Sequence, residues 1–434
     1  MGNADPINTS AGQILKVYIT LTLLSTFASS FIWGINTLFL LDAGLTITEA
    51  FLANAFFTVG QVLFEVPTGV AADTLGRRTS YLLGSATLFV STLLYLWLWQ
   101  IHGPLWAWAV VSMLLGLGFT FFSGATEAWL VDGLNFAKYT GTLESAFAKG
   151  QIAGGVAMLT GTLIGGAIAQ ATSLGVPYIL RAIVLAMTFL VAFISMQDIG
   201  FTPKRDSSVR VAMRGILKSS LDHGFGHPPV RWLILAGPFS GGVGIYAFYA
   251  MQPYLLELYG KGNSYAIAGL AAAMVAGAQI IGGYIVPYVR KVFRRRTSFL
   301  LFGAVMSAVS LALIGLASTF WLALSVFGLW AIIFAATIPV RQMFINRLIP
   351  SEERATVLSF DNLLNSSGGI VVQPALGKVA DIWSYSISYI VGGGIELMAV
   401  PFILLARREK ATSDHMAGES SESSPSRPPL RGRS

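Results

Sequence analysis

Runs of apolar residues long enough to cross a bilayer as a helix, about 20 each, recur along the chain. They fall at 14–41, 49–72, 79–101, 104–130, 144–170 and 176–198, and again at 231–258, 264–289, 297–317, 320–346, 356–381 and 384–406. The pattern predicts an all-α membrane protein of twelve transmembrane helices, in two bundles of six at 14–198 and 231–406. Between the bundles lies the longest loop, 199–230, and the Ser/Pro/Arg-rich tail at 407–434 reads as disordered. The polar start, 1–13, lacks the basic opening and small-residue cleavage site of a signal peptide, so the first apolar segment is expected to be a retained helix.

Charge orients these helices. Arg77, Arg78, Lys138, Arg294, Arg295, Arg296, Arg347, Arg407 and Arg408 gather in loops on one side, whereas the other side offers little beyond Lys261 and Lys378. By the positive-inside rule both termini are cytoplasmic, in an inner (cytoplasmic) membrane crossed many times. The same asymmetry accounts for the net charge of +7 as topology, so no nucleic-acid partner is expected. In the long loop Arg210, Arg214 and Lys218 recur every four residues. They suit either an amphipathic helix on the anionic inner leaflet or a solvated basic linker.

Composition agrees, with 54% hydrophobic and 11% charged residues against about 25% charged in a soluble domain. The absence of cysteine excludes disulfides, thiolate metal sites and cysteine nucleophiles, and only four histidines argue against a metal-centred enzyme. No cofactor is expected, and no phosphate loop of the G-x-x-x-x-G-K-[ST] form is present.

The halves echo each other. Arg77-Arg78-Thr79-Ser80 opens the third helix and Arg295-Arg296-Thr297-Ser298 the ninth, while Thr142, Ser145, Gly154 and Gly155 align with Thr356, Ser359, Gly368 and Gly369. Such parallel repeats are what one half rocking against the other around a midplane site requires.

Between helices 2 and 3 stands Gly69-Val70-Ala71-Ala72-Asp73-Thr74-Leu75-Gly76-Arg77-Arg78. It resembles the G-x-x-x-D-x-x-G-R-[KR] signature of the major facilitator superfamily, in its usual place. The resemblance implies that Gly69 lets neighbouring helices approach, that Gly76 turns the chain, and that Asp73 with Arg77 and Arg78 forms a cytoplasmic charge latch. Asp132, at the foot of helix 4, is the expected partner of Arg77. The matching loop of the second half has Lys291 where Asp73 stands, so a symmetric latch is not expected. Gly161-Thr162-Leu163-Ile164-Gly165-Gly166 is similar to the G-P-x-x-G-G core of the antiporter motif in drug-exporting members, with Thr162 in place of proline. No sugar-porter signature of the P-E-S-x-R type follows helix 6.

Ionisable residues within spans are costly, so they face cavities or partners. Glu127 on helix 4 and Arg341 on helix 10 occupy equivalent places in the two halves and are expected to face a central cavity. Glu127 is then the candidate proton carrier, with a structural ion pair as the alternative. Glu65, beside Pro67, is assigned to the cytoplasmic gate, and Arg181 is expected to snorkel to the headgroups. Asp361 and Glu396 also lie within spans, and Glu396 receives no role. Trp33, Asn36, Asn54, Gln151, Tyr249, Gln252, Gln279, Asn362 and Asn365 are the candidate cavity lining. Together they describe an amphipathic site without strong charge, suited to moderately hydrophobic or weakly charged cargo rather than phosphates. The expected function is secondary active transport by alternating access: proton-coupled efflux of small organic molecules by a monomer in the lipid bilayer, with the proton gradient as its energy source. An importer or uniporter of a nutrient or metabolite on the same fold, or a non-transporting membrane sensor, are the alternatives.

Overall fold

The computed structural model of the chain describes residues 10–202, 211, 214–215, 218, 220–260, 264–349 and 354–416. In the first half, α1 (Ala11–Trp33), α2 (Asn36–Asp42), α3 (Ile47–Leu75), α4 (Arg77–Ile101), α5 (Leu105–Phe122), α6 (Ala125–Phe136), α7 (Leu143–Ala171) and α8 (Gly175–Ser195) follow one another. The second half holds α9 (Pro228–Tyr259), α10 (Tyr265–Val292), α11 (Arg296–Leu316), α12 (Phe320–Asn346), α13 (Arg354–Ile382), α14 (Tyr385–Leu397) and α15 (Ala399–Arg408). The local reasons are ordinary. Ser10 with Gln13 and Thr46 with Glu49 form capping boxes that start α1 and α3.

Eleven helical stretches among the described residues are long and apolar enough to cross a membrane. The remaining expected span, 356–381, is the 29-residue helix α13, but Asp361, Asn362, Asn365, Gln373, Lys378 and Asp381 leave it less apolar than the eleven. It tolerates them because it packs inside the protein, against α9 on one side and α3 of the first half on the other. Asp361 and Gln373 are buried there.

Three expected spans are not continuous helices. The segment 14–41 breaks at Gly34 and Ile35, 104–130 breaks at Ser123 and Gly124 and runs on to Phe136, and 384–406 kinks at Met398. At the first break α2 is held by its Phe39, whose ring stacks 3.9 Å from that of Tyr178 and packs on Tyr95, Trp99 and Trp108. The tail also departs from expectation. Instead of being disordered from 407, the chain stays helical to Arg408. It then docks residues 411–416 on the start of α11, where Met416 N–H donates to Arg294 O at 3.0 Å. The remaining 417–434, most of the anticipated basic amphipathic stretch around Arg210, and Lys261 lie outside the described residues; Arg214 and Lys218 are exposed.

The halves meet through α3 with α13 and α7 with α10. At Gly166 and Gly269 the backbones of α7 and α10 touch so closely that a Cβ on Gly166 would stand 2.8 Å from Gly269 Cα. Only glycine permits that approach, the membrane counterpart of small-residue packing. This contact lies at the end of the molecule away from the basic loops. Toward the basic end the same helices leave open space around Gly155, Gly277 and Gly283 and expose Gln151, Ile152 and Tyr284.

Candidate functional site

A helix broken inside a membrane leaves backbone groups that something must satisfy. At the break between α1 and α2 that role falls to Gln252 of α9. Its Nε2 donates to Trp33 O at 2.8 Å, and its Oε1 accepts from Thr37 N–H at 2.9 Å. Gln252, expected to line the cavity, is instead fully buried and bridges the two halves. A second cross-half bond joins Thr48 Oγ1 to Asp381 Oδ2 at 2.6 Å, and Gly377 packs against Phe51. Both lie at the same end as the α7–α10 contact, so this end is sealed.

Beneath the seal lie three neighbouring cavities. One, of about 330 Å³, is lined by Trp33, Asn36, Asn54, Tyr95, Arg181 and Tyr249, among others. A second, of about 260 Å³, shares Trp33, Phe57, Gln61 and Tyr249 with it and adds Gln279, Trp330 and Phe334 from the second half. A third, of about 330 Å³, sits within the second half around Arg341, Asp361, Asn362, Asn365 and Glu396, and shares Ile245 and Phe334 with the second. Of the residues read from sequence, Trp33, Asn36, Asn54, Tyr249, Gln279, Asn362 and Asn365 therefore line cavities. Gln151 is exposed on α7 and lines none of the three.

Arg181 is among the residues that sequence reasoning misplaced. Rather than reaching the headgroups it is 2% exposed; its Nε donates to Thr92 Oγ1 at 3.1 Å, and its guanidinium lies 5.9 Å from the Phe119 ring centroid. The lining is thus not free of strong charge. Arg341 also differs from expectation. Instead of opposing Glu127 across the cavity, it forms a bidentate pair with Asp361, Nε to Oδ2 at 3.1 Å and Nη2 to Oδ1 at 2.5 Å, and Nη2 also donates to Leu233 O. Glu127 is exposed in the first turn of α6, just past the break in span four. Glu65 accepts a bond from Ser123 Oγ, at that same break, at 2.7 Å. Glu396 is 4% exposed, accepts from Ser240 Oγ at 2.8 Å and lines the third cavity beside Arg341 and Asp361.

At the basic end the sequence motif folds into a charge cluster. Arg77 Nη1 lies 2.5 Å from Asp73 Oδ1, and its Nε lies 3.8 Å from Asp132 Oδ2, so Asp73 is the closer partner and Asp132 the more distant. Gly76 adopts a φ of 105°, open to glycine, and a Cβ there would strike the carboxylate of Asp198. That carboxylate accepts from Arg78 N–H at 2.8 Å, capping α4 from beyond the end of α8, since Gly76 has no capping side chain. Burial raises the Asp198 carboxyl above its usual value, and contacts with Arg78 and Arg77 draw it partway back. Gly69, assigned to helix approach, is exposed with open space around it.

The second half repeats the cap with a different residue. Asp414, beyond the end of α15, accepts from Thr297 N–H at 2.8 Å and Thr297 Oγ1 at 2.9 Å, and Arg296 donates to the carbonyls of Ser413 and His415. In both halves an aspartate that follows the last helix caps the helix that opens with the Arg-Arg pair. Neither acid was singled out from sequence. The available signal is an aspartate within a few residues of the end of the sixth helix of each half, in segments otherwise rich in arginine.

The sequence model of the Major Facilitator Superfamily matches residues 18–372 and 261–431. A relative from Bacillus subtilis (strain 168), the uncharacterised MFS-type transporter YxaM, is 21% identical over 407 residues, covering 90% of this chain and 94% of its own length. Among solved structures, the nucleoside transporter NupG superposes with a TM-score of 0.72 at 11% identity, covering 91% of this chain and 99% of its own. The POT family transporter PepTSo gives 0.70 at 12% identity, with 91% and 98% covered. A D-xylose–proton symporter gives 0.67 at 16% identity, with 90% and 97% covered. At such identities these likenesses speak for the fold alone.

Proposed function

We propose that this chain, which belongs to the major facilitator superfamily, moves small organic molecules by alternating access, driven by protons and in the outward direction. That it is an integral multi-pass membrane transporter and not an enzyme follows from the family and from its apolar helices. The finer reading is ours: α13 is the twelfth span, the two halves are six-helix bundles, the basic end faces the cytoplasm of an inner membrane, and the protein works as a monomer.

The observation that carries this reading is the asymmetry between the ends. Gln252 and Asp381 tie the halves together at one end, over cavities walled by both halves, while the helices leave open space toward the other. A cavity sealed at one end only is one half of an alternating-access cycle. Breaking the Gln252 and Asp381 contacts while closing the basic end around Asp73, Arg77 and Gly69 supplies the other half.

Two features support proton-coupled export. Of the glycines similar to the antiporter motif, Gly161 and Gly165 pack on Ser30 and Phe31 of α1 within the first half, and Gly166 packs on Gly269 at the seal, so Gly166 belongs to the face on which one half moves against the other. Glu127, exposed in the first turn of α6 just past the break in span four, remains our candidate for the proton-coupling residue. One proton crossing about 100 mV supplies about 2.3 kcal/mol, enough to bias the cycle without ATP.

The test is proton flux in proteoliposomes holding a pH-sensitive dye, with a panel of amines, dyes and carboxylic acids. Substrate-dependent proton movement opposite to cargo, abolished in Glu127→Gln, is expected. Proton movement in the same direction as cargo replaces export with import. Full coupling in Glu127→Gln removes Glu127 from the mechanism.

A further inference from the structure

Arg181 poses a chemical question that its neighbours do not answer. It lies two turns into α8, 2% exposed, where a guanidinium has lost its water and needs a counter-charge. Among the described residues no carboxylate forms an ion pair with it. Its Nε is taken by the neutral Thr92 hydroxyl, and its Nη2 is buried without a hydrogen-bond partner. Two nearby tyrosine hydroxyls are engaged elsewhere, and a third tyrosine, Tyr249, lines the same cavity. Tyr95 O–H pairs with Ser112 Oγ at 2.6 Å, and Tyr178 O–H donates to Asn36 Oδ1 at 2.9 Å.

The same cavity holds a second donor in the same condition. Asn36 Nδ2 donates to Asn54 Oδ1 at 2.9 Å, which fixes the orientation of the Asn54 amide. The Asn54 Nδ2 group is then buried with no acceptor. Two donors from different spans, one of them cationic, line one cavity of about 330 Å³ and lack acceptors from the chain. Their shared complement is an anion with two oxygens. A carboxylate fits the planar guanidinium fork, whereas a phosphate dianion calls for more than the single cation present.

The rest of the wall describes the rest of the ligand. Trp33, Phe57 and Tyr249 continue from this cavity into the adjoining one, where Phe248, Trp330 and Phe334 complete an aromatic surface. We propose that Arg181 and Asn54 bind the carboxylate of a monocarboxylic acid whose aromatic or apolar body lies against Trp33, Phe57 and Tyr249. This names a substrate class for the cavity and rests on reading that cavity as the transport site.

The experiment is equilibrium binding to the purified full-length protein at neutral pH. Phenylacetate, 4-hydroxybenzoate and indole-3-acetate are each compared with the matching amide. At least one acid is expected to bind, with its amide weaker by roughly 10- to 100-fold, the usual worth of a charged hydrogen bond. Arg181→Gln is expected to erase the difference between acid and amide, and Arg181→Lys to keep part of it. Asn54→Leu, which leaves the guanidinium in place, is expected to weaken the acid several-fold; with Arg181→Lys it carries the test should Arg181→Gln not fold. The proposal is overturned if no acid binds at millimolar concentration, if acid and amide bind alike, or if Arg181→Gln keeps the preference. Acid binding with this preference but no flux in proteoliposomes leaves the anion site standing and removes the transport reading. Flux of uncharged or cationic cargo that Arg181→Gln leaves unchanged does the reverse.

Discussion

Each half of this transporter lines a cavity with an arginine, Arg181 buried and Arg341 half-buried, and the two are treated in opposite ways. Arg341 in the second half is held bidentately by Asp361 and tied to the Leu233 carbonyl, so its charge is compensated within the protein. Arg181 in the first half meets a threonine hydroxyl and a phenylalanine ring, and no carboxylate pairs with it among the described residues. A paired buried charge is a structural element, whereas a buried charge without its partner is a recognition element. The halves share the repeated Arg-Arg-Thr-Ser and divide the labour: the second is built around a closed ion pair, the first around a donor that lines the cavity.

The largest expected effect breaks the closed pair. Asp361→Asn should cost about 3–5 kcal/mol of unfolding free energy, because it strands the Arg341 charge. The double variant Arg341→Met with Asp361→Leu should recover most of that in the same denaturation assay. Arg181→Gln should cost little or gain stability, since no ionic partner is lost with it. Equal losses at Asp361 and Arg181 would erase the distinction between the two arginines.

Next comes the residue by which the second half completes the first. Gln252→Leu leaves the Trp33 carbonyl and Thr37 N–H without partners, at a cost of about 1–3 kcal/mol, and only in the sealed conformation. It should therefore shift the population toward opening at that end, read as faster labelling of a cysteine at Thr37. Unchanged labelling would mean that Gln252 is not part of the seal.

Smaller effects compare the two helix caps. Asp414→Ala should lower stability by about 1 kcal/mol, as the loss of a helix cap does. Asp198→Ala should cost less, because burial already disfavours the charged form of Asp198. The sign with pH follows. A carboxyl whose folded pKa is raised contributes stability that is fully present below the unfolded value, about 3.9, and is lost as pH rises through the folded value. Wild type should therefore lose stability relative to Asp198→Asn as pH rises through the carboxylate range, and a slope of the opposite sign would contradict the assignment.

How much of this was legible in the sequence depended on the range of the interaction involved. Hydrophobic runs located the spans, and the Gly69–Arg78 spacing located the charge cluster, because both signals are local. The breaks at Gly34 and Gly124 were hidden, since the residues on both sides remain apolar and the group that repairs the first break, Gln252, comes from the other half. Arg181 looked interfacial because it stands near the end of its span; only the inward turn toward Thr92 shows otherwise. Offset arithmetic matched Arg341 with Glu127, whereas packing matched it with Asp361 on the next helix. The docking of Asp414 on Thr297 was invisible because the tail composition resembles that of a disordered segment.

Alternating access itself is tested most directly by spin-label distances. The chain has no cysteine, so pairs can be placed without background at exposed sites, Leu75→Cys with Val292→Cys at the basic end and Trp106→Cys with Trp321→Cys at the sealed end. On lowering the pH or adding substrate, a population should appear in which the first distance shortens while the second lengthens. Distances that stay fixed under every condition, or that change in the same sense, would contradict the account.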